Sequence, residues 1–171
     1  MEVTEALCSG KKEIQALWLE RTLTTYTSSD FFKKAKNPFA NPVGVNISQA
    51  LNSLYDLLVS NAETEAMLPP LDQLIRIRAV QEFSPAQAVA PLLELKWVIK
   101  QVFSRQEETK ALLSQLDQVD CDIDRMALAG FNIYVACREQ LYQCRINELK
   151  SGNHVLTDSG CPSRLLDKET P

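Results

Sequence analysis

Apolar residues recur every three or four positions along most of the chain, which is the spacing of one face of an α-helix. The pattern is first seen between Lys11 and about Tyr26, where Ile14, Leu17 and Trp18 share a face. The whole chain has only 5 glycines and 8 prolines, too few for the many turns of a β-sandwich. The pattern therefore predicts an all-α fold.

Prolines and capping residues predict where the next two helices begin. Asn41 as N-cap and Pro42 at the first helical position predict a helix that runs to about Ser60. Pro69 and Pro70 are expected to close an acidic connection and to start the following helix. Three helices are thus predicted in the first half of the chain.

A capping box predicts the start of the fourth helix. Ser84 and Gln87 stand three residues apart around Pro85, the arrangement in which each side chain bonds the backbone N–H of the other residue. The apolar pattern then continues to about Arg105. Lys96 falls in the apolar stripe of this helix, so its ammonium group has to reach solvent or find an acid.

The last predicted helix is the longest, from about Glu107 to Lys150, with Gly152 where a C-terminal cap belongs. Rising by about 1.5 Å per residue, it would be roughly 65 Å long, more than one small domain can cover. Its apolar residues alternate steps of four and three, as in a coiled coil. We therefore predict a homodimer joined along a stripe that starts at Leu112 and contains Leu116, Val119, Ile123, Met126, Gly130, Ile133 and Cys137.

A second interpretation of the same stripe stays open. If the helix bends or breaks near Asp120 to Asp124 and folds back, the apolar stripe becomes part of the core of one chain. Gly130 then marks a close crossing of two helices rather than a position in a dimer seam. Both interpretations use the same residues.

Length and periodicity predict one helical domain with a tail. At 171 residues the chain is close to the size of a single domain. Residues 1–152 carry the helical pattern, whereas residues 153–171 have no sustained period, so we expect them to form a flexible tail. The expected architecture is a helical bundle with a long C-terminal helix.

The charge pattern and the N-terminal sequence limit which partners and which cellular location we expect. The formal net charge is −4 and Lys and Arg are spread along the chain, so we expect no nucleic-acid partner. The N-terminus lacks the apolar run of a signal peptide, and Lys96 and Lys100 interrupt the most apolar stretch. We therefore expect a cytoplasmic protein without an integral membrane segment.

The five cysteines contain no C-x-x-C pair and fit reduced thiols. Cys137 and Cys144 could form a disulfide only between chains.

No arrangement of residues predicts catalysis, a metal site or a cofactor. His154 is the single histidine and lies in the tail, so the core has no Ser-His-Asp triad, two-histidine zinc site or histidine ligand for haem. The spacing from His154 to Cys144 and Cys161 matches no standard zinc site. The acids at 120, 122 and 124 resemble the start of a calcium loop, but the glycine and the glutamate that such a loop requires are absent.

Two basic residues are candidates for ligand binding. Arg78 stands beside the buried stripe of its helix, whereas Arg76 is four residues after Asp72 and can pair with it at the surface. Together with Lys96, Arg78 could form an anion pocket among the helices. The alternative is that both cations form ordinary salt bridges to acids.

Four segments of the chain carry a family resemblance. They are W-L-E-R-T at 18–22, N-P-V-G at 41–44, L-D-Q-L-I-R-I-R-A-V-Q-E-F-S-P-A-Q-A-V at 71–89, and the pattern from Asp124 to Glu148. The chain resembles in these segments the RsbRD N-terminal domain family, the sensory-type domain of RsbT co-antagonist proteins. The resemblance covers about residues 10–150, and its most specific part is R-I-R-A-V-Q followed by S-P-x-Q-A-V.

The resemblance implies a globin-related helical bundle without haem, which in stressosome co-antagonists stands as a dimer ahead of a STAS domain. Residues 153–171 are too few for a STAS module, so we expect only the input half of such a protein. The implied function is that of a non-catalytic regulatory module that docks to a protein partner. Two alternatives stay open: a small-ligand sensor or cryptic enzyme with a pocket near Arg78 and Lys96, and an accessory subunit of a multi-subunit redox complex.

Overall fold

The computed structural model describes residues 2–26, 41–81 and 83–151. These residues form six α-helices and one 3₁₀ helix, and none of them lies in a β-strand. The predicted all-α class is therefore confirmed, while the relationship to globins stays a prediction. None of the helices in these ranges is long and apolar enough to cross a membrane.

The helices are named in chain order. Their bounds are α1 Val3–Thr24, α2 Pro42–Val59, α3 Thr64–Val80, α4 Pro85–Phe103, α5 Glu107–Lys110, the 3₁₀ helix Ala111–Gln115, and α6 Asp117–Ser151.

Local capping explains why two helices begin where the sequence predicts. At the start of α2 the backbone N–H of Gly44 donates a hydrogen bond to the side-chain oxygen of Asn41 at 2.8 Å. At the start of α4 the Gln87 N–H donates to the Ser84 hydroxyl at 3.3 Å, and the Ser84 N–H donates to the Gln87 side chain at 3.0 Å. Both predicted helix starts are confirmed.

The first helix begins earlier than predicted, at Val3 rather than Lys11. The backbone N–H of Glu2 donates to the Glu5 carboxylate at 3.0 Å and so stabilises the first turn. Ala6 and Leu7 are buried in this added segment. The prediction missed it because the segment has only these two buried positions before Gly10.

The third helix also begins earlier than predicted, at Thr64, so that Pro69 and Pro70 lie inside it. Each proline removes one helical N–H, which leaves the carbonyl four residues earlier without its usual donor. These carbonyls belong to Glu65 and Ala66, which are exposed, so water can bind them. The prediction that Pro69 and Pro70 start the helix was wrong, because the helix tolerates both prolines where the affected carbonyls are exposed.

The predicted single helix from Glu107 to Lys150 is interrupted. α5 and the 3₁₀ helix precede α6, which begins at Asp117. The buried Thr109 hydroxyl donates to the Phe103 carbonyl at 2.8 Å and turns the chain back towards the end of α4. The helix continues without a break through Asp120 to Asp124, so the alternative bend at that point was wrong too.

The first four helices surround the core in a closed sequence of contacts. α1 contacts α2 and α4, and α3 also contacts α2 and α4. Buried polar groups bond across these interfaces: Trp18 Nε1 donates to the Pro91 carbonyl at 2.6 Å, and the Tyr55 hydroxyl donates to the Leu7 carbonyl at 2.9 Å. Burial raises the pKa of Tyr55, which therefore stays a hydrogen-bond donor at all ordinary pH values.

α6 packs on α3 and α4 through a glycine. A Cβ atom at Gly130 would lie 2.8 Å from Leu92 Cδ1 and 3.5 Å from Ile75 Cγ1. Only glycine allows the backbone of α6 to approach both helices this closely without a shift of Leu92. Gly130 thus marks a helix crossing within one chain.

The chain forms two compact units that divide after Arg138. The second unit begins at Glu139, and its described residues are the last turns of α6 up to Ser151, all of them exposed. The predicted tail at 153–171 lies outside the described residues. The predicted domain of residues 1–152 stays a prediction.

Candidate functional site

Arg78 lies on the core-facing side of α3, next to the buried residues Leu74 and Ile75. Its exposed fraction is 0%. The burial predicted from the apolar pattern is therefore confirmed. A buried guanidinium carries five N–H donors, and the neighbouring elements have to supply acceptors for them.

The acceptors of Arg78 come from the end of α1 and the start of α4. Both Nη1 and Nη2 donate to the Thr25 hydroxyl oxygen at 3.1 Å, and Nη2 also donates to the Gln87 carbonyl at 2.8 Å. In a regular helix the Gln87 carbonyl would accept from the residue four positions later, but that residue is Pro91, which has no N–H. Pro91 thus leaves this carbonyl available to Arg78.

Two aromatic rings complete the surroundings of Arg78. The guanidinium carbon lies 4.1 Å from the ring centroid of Phe83 and 5.1 Å from that of Tyr26. The two rings meet edge to face, with their centroids 5.1 Å apart. Their π faces attract the cation where water is excluded. We call Arg78, Thr25, Tyr26, Phe83 and Gln87 the Arg78 cluster.

Burial dominates the electrostatics of this cluster. It lowers the pKa of Arg78, while Tyr26 and Glu94 act in the opposite direction. Burial also raises the pKa of Tyr26, and the nearby Arg78 partly offsets that increase. Among the described residues no carboxylate bonds to the guanidinium, and its Nε has no acceptor. Neutral oxygens and aromatic faces therefore hold this cation.

Lys96 has a different partner. Its Nζ lies 2.8 Å from a carboxylate oxygen of Asp124, and Lys100 is 2.7 Å from Asp120. The two pairs join α4 to α6 in antiparallel order, and the expectation that Lys96 finds an acid is confirmed. None of the contacts of Arg78 in the described residues involves a partner of Lys96, and a shared anion pocket stays a prediction.

Two open clefts lie elsewhere in the described part of the chain. One, of about 440 Å³, lies between the α2–α3 connection and α6, where Asp122 already accepts from Gln118 and Arg125. The other, of about 400 Å³, includes Arg21 and Glu94, which pair at 2.9 Å. Arg78 and Lys96 line neither cleft. No three described His, Cys, Asp or Glu side chains meet so as to hold a metal ion.

The residues predicted to form a dimer seam are core residues of one chain. Buried or partly buried positions make up the whole stripe: Leu116, Val119, Ile123, Met126, Gly130, Ile133 and Cys137. The assignment of these side chains to an interface between chains was therefore wrong. The reason is that α6, which starts at Asp117, packs back on α3 and α4 of the same chain.

A different stripe of α6 is exposed. Leu128 is 67% exposed, Phe131 44% and Val135 38%, and Cys121 is also exposed. Cys121, Leu128 and Val135 are spaced by seven residues, like the buried stripe, but they lie on the opposite side of the helix. We call these four residues the outer face of α6. The spacing was visible in the sequence, but the more apolar buried stripe obscured it.

The comparison with protein families places these observations in a known group. The family model for the RsbT co-antagonist protein rsbRD N-terminal domain matches residues 12–149. No curated protein matched the chain. No solved structure matched it either. Because the match includes the Arg78 helix, the capping box of α4 and nearly all of α6, the chain belongs to the RsbT co-antagonist protein rsbRD N-terminal domain family.

Proposed function

We propose that this protein is a non-catalytic regulatory input domain that acts by contact with other protein chains in the cytoplasm. Membership of the family supports a regulatory role. The outer face of α6 supports action by contact, because exposed apolar residues in one row are typical of protein–protein interfaces. The four described cysteines are all free thiols, which agrees with a reducing compartment.

We further propose that the first partner is a second copy of the chain, bound through the outer face of α6. A row of apolar residues seven positions apart is the pattern by which two helices pack side by side. Phe131 lies midway between two charged residues, with Asp124 seven residues before it and Arg138 seven residues after it. In an antiparallel pair about a two-fold axis, the acidic end of one face meets the basic end of the other.

Sedimentation velocity of the full chain tests this proposal. The unaltered protein should sediment with twice the 19.2 kDa mass of one chain at micromolar concentration. Changing Leu128 and Val135 together to Glu should give a folded monomer, because each chain would then have to bury two charges in the interface. Circular dichroism should show that the helices remain, since both side chains are exposed in the single chain.

Leu68→Glu is the matched control for the charge change. Leu68 is a similarly exposed leucine, at 42%, but it lies on α3. This variant should remain a dimer. A mass of one chain for the unaltered protein at every accessible concentration would contradict the homodimer.

A further inference from the structure

The end of α3 is held by two side chains of α6. The carbonyl of Ala79 lies in the last turn of α3, where backbone acceptors lack helical donors. Arg138 Nη1 donates to it at 3.1 Å, and the Tyr134 hydroxyl donates to the Phe83 carbonyl at 2.6 Å. These bonds tie α6 to the connection between α3 and α4.

Phe83 is held on both of its sides. Its carbonyl accepts from Tyr134, and its ring lies 4.1 Å from the guanidinium carbon of Arg78. Arg78 in turn is fixed by Thr25 from α1 and Gln87 from α4. A continuous set of contacts therefore leads from the buried cluster to α6, through one residue of the connection.

We propose that Tyr134 and Arg138 form a latch through which the Arg78 cluster controls the outer face of α6. Phe131 and Val135 lie within one helical turn of Tyr134. When the cluster is intact, Phe83 presents its carbonyl to Tyr134 and this part of α6 is held firmly. When the stacking on Arg78 is lost, Tyr134 loses its acceptor and residues 131–138 open locally more often.

The regulatory meaning of the latch rests on the proposed function, because it assumes that the outer face binds another chain. The contacts of the latch do not depend on that assumption. A partner or ligand that displaces Phe83 or Thr25 would loosen the face, and binding at the face would by the same coupling stabilise the cluster.

Cys137 offers a direct measurement of latch opening. It lies between Tyr134 and Arg138 along α6 and is 4% exposed, whereas Cys8 on α1 is exposed. A buried thiol reacts with an alkylating reagent only when its helix opens, so its reaction rate reports the open fraction. Peptide mass spectrometry of the full chain after brief iodoacetamide treatment gives the rate for each cysteine.

Arg78→Met should increase the rate at Cys137 at least tenfold, and Tyr134→Phe should do the same. Arg105→Met is the matched control, since Arg105 is exposed and pairs with Glu13 of α1; it should leave the rate unchanged. Among the described residues Arg78 makes no bond to α6, so its effect on Cys137 passes through Phe83 or through the contacts of α3 with α6, and Phe83→Leu separates these two routes. An unchanged rate at Cys137 in Arg78→Met would overturn the latch.

Hydrogen exchange in α2 separates local opening from unfolding. Peptides from Pro42–Val59 should keep their protection while Cys137 becomes reactive. If Arg78→Met also exposes α2, Phe83→Leu decides instead, because it removes the ring and keeps the buried cation. A wild-type rate at Cys137 in Phe83→Leu would then overturn the proposal. If the wild-type protein is a monomer, the homodimer is contradicted, but the labelling rates expected for the latch do not change.

Discussion

Two arginines two positions apart on α3 illustrate how much a side chain depends on its face of the helix. Arg76 bonds Asp72 with Nη2 at 2.8 Å and is half exposed. Arg78 is buried and bonds a hydroxyl and a backbone carbonyl. The sequence predicted both positions correctly from helical periodicity, but it left open which acceptors Arg78 would find.

Arg78→Ala should therefore destabilise the fold much more than Arg76→Ala. The larger change takes the donor from the partly buried Gln87 carbonyl, removes two cation–π contacts and creates a cavity, so we expect a loss on the order of 2–4 kcal/mol. The loss is below that of breaking a buried ion pair, because the partners here are neutral. Arg76→Ala removes an exposed pair and should cost less than about 1 kcal/mol.

Chemical denaturation of both variants, followed by circular dichroism, gives the two free energies of unfolding. Equal stabilities of the two variants would show that the contacts of Arg78 contribute no more than a surface ion pair does.

At the scale of elements, α6 carries two rows of apolar residues with the same seven-residue spacing. One row contains Ile123, Gly130 and Cys137 and is buried, and the other contains Leu128 and Val135 and is exposed. Periodicity indicates that a row is a helix face, but the same period fits a core and an interface between chains. The burial of Ile123 and Cys137 and the close approach of Gly130 to Leu92 identify the first row as core.

Changing Ile123 and Ile133 together to Glu should unfold the chain rather than yield a folded monomer. Ile123 has an exposed fraction of 0%, and Ile133 is partly buried against the core. Two carboxylates placed there would lose their hydration in the core. Circular dichroism and thermal melting measure the result directly.

The Glu variant at Leu128 and Val135 is the matched comparison, because it adds the same two charges to the same helix on its exposed side. A cooperative thermal transition in the variant at Ile123 and Ile133, at the temperature of the unaltered protein, would contradict the assignment of this row to the core.

At the scale of the whole molecule, the family match and the arrangement of the first unit both indicate a helical domain, and the family is one of regulatory domains. The match covers residues 12–149, and the helices α1 to α4 contact one another around a core that includes Trp18, Tyr55 and Phe103. No histidine stands between residues 1 and 153. The packed core and the lack of a histidine in these residues both lead us to expect that the protein binds no haem.

We expect the purified protein, supplied with excess haem, to show no stoichiometric Soret band. A globin-type site needs a proximal ligand, and His154, the single histidine, stands after the helices that form the first unit. Absorbance after gel filtration measures the haem that remains bound. If a stoichiometric band appears, Cys137→Ser tests whether the buried thiol is the ligand.

Local sequence was sufficient for the helical class, the starts of α2 and α4, the burial of Arg78 and the family, because each depends on residues close together in the chain. The tertiary structure alone decided which row of α6 is buried and what holds Arg78. Thr25 is 53 positions from Arg78 along the chain, and Tyr134 is 51 positions from Phe83. Such contacts depend on how whole helices pack, and the period of a single helix carries no information about its neighbours.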